Sequence, residues 1–147
     1  MKTVVQLIFF VFLTSDLISQ ELVMNQDQIS INEDLNVQTL YTFNSFKQVM
    51  PNLGEESNYT THVEIKNNSE FLIVSIEAFQ PDSIKAFSHA MERDDLMEAD
   101  DHFDLIIDSY NDKFNALLFR VNTIGTKMDA EINNNGSAFN YDWDTYW

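Results

Sequence analysis

The chain has 147 residues, a formal charge of −16, no cysteine, and 44% hydrophobic and 13% aromatic residues. That much apolar and aromatic content calls for a packed core and excludes a disordered chain, and the length suits one domain. The acidity disfavours nucleic acid and anionic lipid, which are bound through Lys/Arg surfaces, and without cysteine no disulfide supports the fold.

Lys2 gives a short positive start, and Thr3 to Leu13 follows as an apolar run that turns polar by Ser19-Gln20. This is the layout of a secretory signal peptide over residues 1–20, and the run is shorter than the roughly 20 residues a membrane-spanning helix needs. An exported protein is expected: periplasmic, outer-membrane-associated or extracellular. Residues 21–28 read as a loose arm, and the folded module is placed at 29–147. Asn-x-Ser/Thr patterns stand at Asn58, Asn67 and Asn135; they matter only in a host that glycosylates.

Ile29 to Leu35 reads as a short strand, and Leu40 to Met50 as partly buried with an ambiguous period. Pro51 to Ser57 is a loop by composition. Thr60 to Lys66 alternates, Asn67-Asn68-Ser69 supplies turn residues, and Glu70 to Phe79 alternates again, with Leu72, Val74, Ile76 and Ala78 on one side. Together they predict a hairpin. Pro81-Asp82-Ser83 suits a helix start, and Ile84, Phe87 and Met91 fall at helical spacing, which predicts a short covering helix over Ser83 to Met91.

A meander follows. Phe103, Leu105 and Ile107 form one apolar face, with Asp104 and Asp108 opposite. Beyond the turn at Asn111-Asp112-Lys113, the pattern places Leu117, Phe119 and Val121 on a buried face, with Arg120 and Asn122 turned away. Gly125 sits in the next turn. Met128, Ala130 and Ile132 then alternate with Lys127, Asp129 and Glu131 before the loop Asn133 to Ser137. The expected class is all-β, mainly an antiparallel β-sandwich with one short covering helix.

The motifs exclude several chemistries. No G-x-S-x-G elbow is present, His62, His89 and His102 form no HExxH pair, and three glycines make no phosphate loop. With 24 acids a glycosidase-like carboxylate pair can always be drawn, so that signal is empty. The expectation is a non-enzyme.

Two clusters remain. Nine acids crowd Glu92 to Asp112, and Asp94, Asp95 and Asp101 lie in the loop before a strand, where they could converge on calcium, a hard cation taking oxygen ligands. The plainer reading is a solvated acidic loop. At the C-terminus, Tyr141, Trp143, Tyr146 and Trp147 interleave with Asp142 and Asp144. Rings cover the C–H faces of sugars while carboxylates take hydroxyls, which makes Trp143, Trp147, Tyr146 and Asp144 candidate sugar-binding residues. The plainer reading is ordinary core and edge packing.

A further set of motifs runs in order along the chain: Ile31-Asn32-Glu33-Asp34-Leu35, Pro51 to Gly54, Phe71 to Ile76, Arg93-Asp94-Asp95, Asp101-His102-Phe103, Ile107 to Asp112, Phe119-Arg120-Val121-Asn122, Gly125, and Trp143-Asp144 with Trp147. In this series the chain resembles the family 9 carbohydrate-binding module, as found at the N-terminus of large Bacteroidetes-type exported envelope proteins. The last 55 residues carry most of the likeness. The resemblance implies a β-sandwich that binds a glycan, often with structural calcium. It also implies a non-catalytic part of a larger protein, frequently a glycoside hydrolase acting on O-glycosyl bonds. Two departures stand out. The first acidic turn, Asn32-Glu33-Asp34, lacks the family's glycine, and the chain stops at Trp147 where members continue, so the sandwich is expected to be incomplete. The alternative is an envelope interaction domain without sugar binding.

Overall fold

Apolar residues recur at every second position in several stretches of this chain, among them Phe103 to Ile107 and Met128 to Ile132, the pattern of a pleated backbone whose side chains alternate between faces. The computed structural model describes residues 37–49, 51–68, 70–81 and 83–147, together with the backbone course of a strand over Thr3–Phe12. The described residues are all-β and contain no helix. The predicted arm at 21–28, the strand at Ile29 to Leu35 and residues 13–20 of the predicted leader lie outside them. The chain divides into two units, one of residues 4–80 together with Trp147 and the other of residues 81–146, each with its own sheet.

The first unit holds β1 (Thr3–Phe12), β2 (Gln38–Phe43), β3 (Thr61–Asn67) and β4 (Phe71–Gln80), in the order β1-β4-β3-β2. The predicted hairpin is β3–β4, antiparallel, with Val63 opposite Ile76 and Ile65 opposite Val74. Asn68 makes its turn. The side-chain oxygen accepts the amides of Glu70 (2.8 Å) and Phe71 (2.7 Å), imitating a backbone turn. Val63, Ile73, Val74 and Ile76 are buried. Among the described residues β2 pairs with β3 alone, antiparallel, and all six of its residues are exposed.

The second unit is an antiparallel meander, β5 (His102–Ile107), β6 (Ala116–Asn122), β7 (Lys127–Asn133) and β8 (Ala138–Asn140), in chain order across the sheet. Leu118 faces Ala130, and Phe119 faces Asp129. Residues directly opposite in a ladder share a face. Met128, Ala130 and Ile132 therefore lie beside Ala116 and Leu118, whereas Phe119 and Val121 lie on the other side. The expectation of one buried face with Asn122 turned away fails here. Leu118, Phe119, Val121 and Asn122 are all buried, because β6 is covered on both sides.

The cover on the Leu118 side is the segment predicted as a helix, residues 83–91, which is instead a turn followed by an extended run. Ala86, Ser88 and Ala90 alternate inward, while Phe87 (57% exposed) and Met91 (81% exposed) point out. Ala90 and Met97 complete a cluster with Leu118, Met128, Ala130 and Ile132. Helical spacing of Ile84, Phe87 and Met91 misled because those side chains are not the packed ones. The packed ones are small, and small residues leave little periodic signal.

Candidate functional site

Strand β8 reaches only Glu131 to Asn133 of its neighbour, so among the described residues the start of β7 has no strand outside it. The amide of Asp94 fills the gap, donating to the Lys127 carbonyl at 3.0 Å. Arg93 is thereby placed over Asp129, whose carboxylate is 1% exposed. The guanidinium donates to Asp129 Oδ1 at 2.7 Å, to the Thr145 carbonyl at 2.8 Å and to Asp144, while the other Asp129 oxygen accepts the Thr145 amide at 2.8 Å. Strand β7 thus anchors the C-terminal segment. Trp143 packs edge-on against Phe119, with ring centroids 6.2 Å apart and planes at 72°. Burial lowers the Lys127 pKa, and Arg93 nearby adds to that, because an ammonium is costly to desolvate beside a like charge.

The predicted sugar-binding residues fare differently from one another. Tyr146 is 89% exposed, and Trp143 is half-buried on Phe119. Asp144 is engaged by Arg93, and Trp147 is 8% exposed, leaving little ring face for a ligand. Two rings that lie nearest to a flat platform are Phe139 and Tyr141. Both are about half exposed, their centroids 5.8 Å apart and their planes within 12°. Phe139 was missed in the sequence reading. The signal was present as Phe139-Asn140-Tyr141-Asp142-Trp143, rings alternating with polar residues at the period of an extended chain.

The predicted calcium ligands do not converge. Asp95 Oδ1 accepts the Met97 amide at 2.9 Å, Asp101 Oδ2 accepts the Phe87 amide at 2.8 Å, and Asp94 lies 3.5 Å from Arg93 Nε. Asp95 and Asp101 are each taken up by a backbone amide, and Asp94 by its neighbouring guanidinium. Among the described residues no group of three or more His, Cys, Asp or Glu side chains could hold a metal ion. The residues present do not fit the calcium that the family likeness implies.

A polar network missed at the sequence level lies under the 86–101 strap. The Asp100 side chain is fully buried. It accepts the amides of His89 and Ala90 (both 3.1 Å), His89 Nδ1 (2.9 Å) and Asn122 Nδ2 (2.9 Å). Asn122, 0% exposed, also donates to the Ala90 carbonyl at 2.9 Å and accepts the amides of Ile124 (3.2 Å) and Thr126 (2.9 Å). The strap is laced to the sheet by side chains where a neighbouring strand would use backbone. The His89 hydrogen bond, with help from Asn122 and the two amides, holds the Asp100 carboxyl far below the usual range. The same hydrogen bond and charge raise the His89 pKa. The His89 side chain is 69% exposed.

On β5 and β6, Arg120 grips Asp104 with two bonds of 2.7 Å and donates to the Leu96 carbonyl at 2.6 Å, which ties the far end of the strap. The Asp104 hydrogen bond raises the Arg120 pKa.

No family model, curated protein or solved structure matches this chain.

Proposed function

We propose that this chain is a non-catalytic glycan-binding module of an exported protein, with its site on the C-terminal aromatic segment. The observation that carries the reading is the Phe139–Tyr141 pair, two near-parallel rings half open to solvent, with Asn140 and Asp142 between and after them. Such rings lie against the C–H faces of a sugar, and amide and carboxylate groups take its hydroxyls. Tyr146 and Trp143 extend the aromatic surface, and the Arg93–Asp129 clamp fixes the segment before a ligand arrives, which lowers the ordering cost of binding. The family 9 likeness of the last 55 residues points the same way. Catabolism of carbohydrate by a parent hydrolase is part of that proposal, and calcium has no step in it.

A second reading, an interaction domain of a cell envelope, is favoured by β2. Its sequence Gln-Thr-Leu-Tyr-Thr-Phe carries no charge, pairs on one side only among the described residues, and exposes Tyr41 (61%) and Phe43 (44%). Open, apolar strand edges are templates for another strand.

A glycan array probed with the intact chain separates the two. The first reading expects retention of a glycan subset, weakened about tenfold by Tyr141→Ala, since one ring contact is worth about 1–1.5 kcal/mol. A blank array from protein with a cooperative melt overturns it and leaves the interaction domain.

A further inference from the structure

The β7–β8 hairpin turns through Asn134, Asn135 and Gly136, all in the left-handed region at φ 55°, 55° and 85°. Asn135-Gly136 is the one Asn-Gly pair in the sequence. Both residues are exposed. The Asn135 amide nitrogen of the main chain donates to the Phe114 carbonyl at 2.8 Å, which holds the entrance of the turn. The Asn135 side-chain amide and the Gly136 N–H have no hydrogen-bond partner among the described residues, and the next turn bond, Ser137 N to the Asn134 carbonyl, is long at 3.3 Å. Nothing lies within 4 Å of where a Gly136 Cβ would stand.

We propose that Asn135 is a site of spontaneous, water-consuming backbone rearrangement in the folded protein. The Gly136 nitrogen attacks the Asn135 Cγ. The new N–Cγ bond closes a five-membered imide, the Cγ–Nδ2 bond breaks, and ammonia leaves with the proton that Gly136 gave up. Water then adds to one of the two imide carbonyls and that C–N bond breaks, giving aspartate or isoaspartate. Overall one water is consumed and one ammonia released, with no oxidant or cofactor. The attack needs rotation about the Asn135 Cα–C bond. Gly136 permits it because it has no Cβ to collide with the side chain and tolerates both signs of φ. Every other asparagine is followed by a residue with a Cβ, which hinders the same approach.

The product adds one negative charge to a chain at −16. In the isoaspartyl form it also inserts one more carbon into the backbone of a tight turn. That lengthening falls between Asn133 and Ala138, which face each other in the ladder, and it loosens the register that presents Phe139. The site thus ages the strand that carries the exposed rings.

The test holds the full chain, folded, in mildly alkaline buffer and follows peptide masses over time. The expected result is conversion at Asn135 ahead of the peptides carrying Asn58 and Asn111, with fragmentation placing the new residue at Asn135 and not at Asn134. The mass should rise by the difference between a hydroxyl and an amino group, isoaspartate should be released to an isoaspartyl methyltransferase, and the rate should increase with pH because the attacking nitrogen must lose its proton. Gly136→Ala meets no neighbour but strains a φ of 85°, so it is read only where circular dichroism keeps the sheet spectrum, and there conversion should slow several-fold. If Asn135 stays intact in the folded chain while the urea-unfolded chain converts there, the turn protects the site and the proposal is wrong. Equal rates for the wild type and Gly136→Ala would also overturn it.

Discussion

Replacing Asn122 is the sharpest perturbation of the second unit. Its side chain is 0% exposed and makes four hydrogen bonds, two of them to the Ala90 carbonyl and the Asp100 carboxylate beneath the strap. Asn122→Ala removes all four. The Ala90 carbonyl keeps the Thr126 hydroxyl at 2.7 Å, and the amides of Ile124 and Thr126 are half open to water, so the loss falls short of four stranded groups. The expected cost is about 2–4 kcal/mol. At a urea slope near 2 kcal/mol/M this lowers the midpoint by roughly 1–2 M. Asn122→Asp keeps the shape but sets an oxygen where Nδ2 now lies, 2.9 Å from the Asp100 carboxylate. Two carboxylates that close share a proton, so the new group's folded-state pKa rises above its unfolded value. Its penalty is then full above the folded pKa and fades as pH falls below it. Urea melts of both variants between pH 4 and 8 read this out. Asn122→Asp should be the less stable at neutral pH and should overtake or match Asn122→Ala in acid. Wild-type stability for Asn122→Asp at neutral pH, with no pH dependence, would refute the reasoning.

The His89–Asp100 pair makes a prediction about pH. His89 has a raised pKa, so its contribution is complete below about 6.5 and is lost as pH climbs through the folded value; Asp100 has a depressed one, so its contribution is complete above about 3.9 and is lost only in stronger acid. The stability difference between wild type and His89→Gln should therefore be largest near pH 5 and shrink by pH 8.5; a difference that grows toward alkaline pH contradicts this. Arg93→Met leaves Asp129 buried without its guanidinium, and because Arg93 is itself 39% exposed the cost should be about 2 kcal/mol, below that of a fully buried pair; Trp fluorescence should change with it as the Trp143 segment loosens. Leu118→Ala, in the strap-covered cluster, should cost about 2–4 kcal/mol by chemical denaturation. Calcium and EDTA should give equal melting midpoints, since Asp95 and Asp101 already cap amides and Asp94 sits beside Arg93; a clear upward shift with calcium would restore the predicted site.

The strands were legible where one face alone is buried or the turn residues are strong. The Thr60 to Phe79 hairpin was read within a residue at each end, because Asn67-Asn68-Ser69 punctuates it and its side chains alternate. Strand β7 was equally clear, since Met128, Ala130 and Ile132 are buried while Lys127 and Glu131, on the other face, are only partly so. The face of β6 was not legible. Leu117 to Val121 is apolar nearly throughout, and a strand covered on both sides loses the period that tells one face from the other. The strap was misread for a related reason. Its 87–90 run is held by the side chains of Asp100, Asp101 and Asn122, ten or more residues further on, and no local pattern announces them. At the C-terminus the residue types were legible, but their roles followed from contacts. Trp147 is the largest ring and is buried, whereas Phe139 and Tyr141 are modest rings and stand in the open.

The central structural claim is that the 86–101 strap is fastened to the meander through the Asp100 carboxylate and Asn122. Amide hydrogen exchange measured residue by residue tests it most directly. The account predicts that His89 and Ala90, which lie in no strand, exchange as slowly as amides of β6, and that Asp100→Asn speeds both while leaving β6 and β7 protected. Exchange of His89 and Ala90 at the rate of an unstructured peptide in the wild-type protein would contradict it.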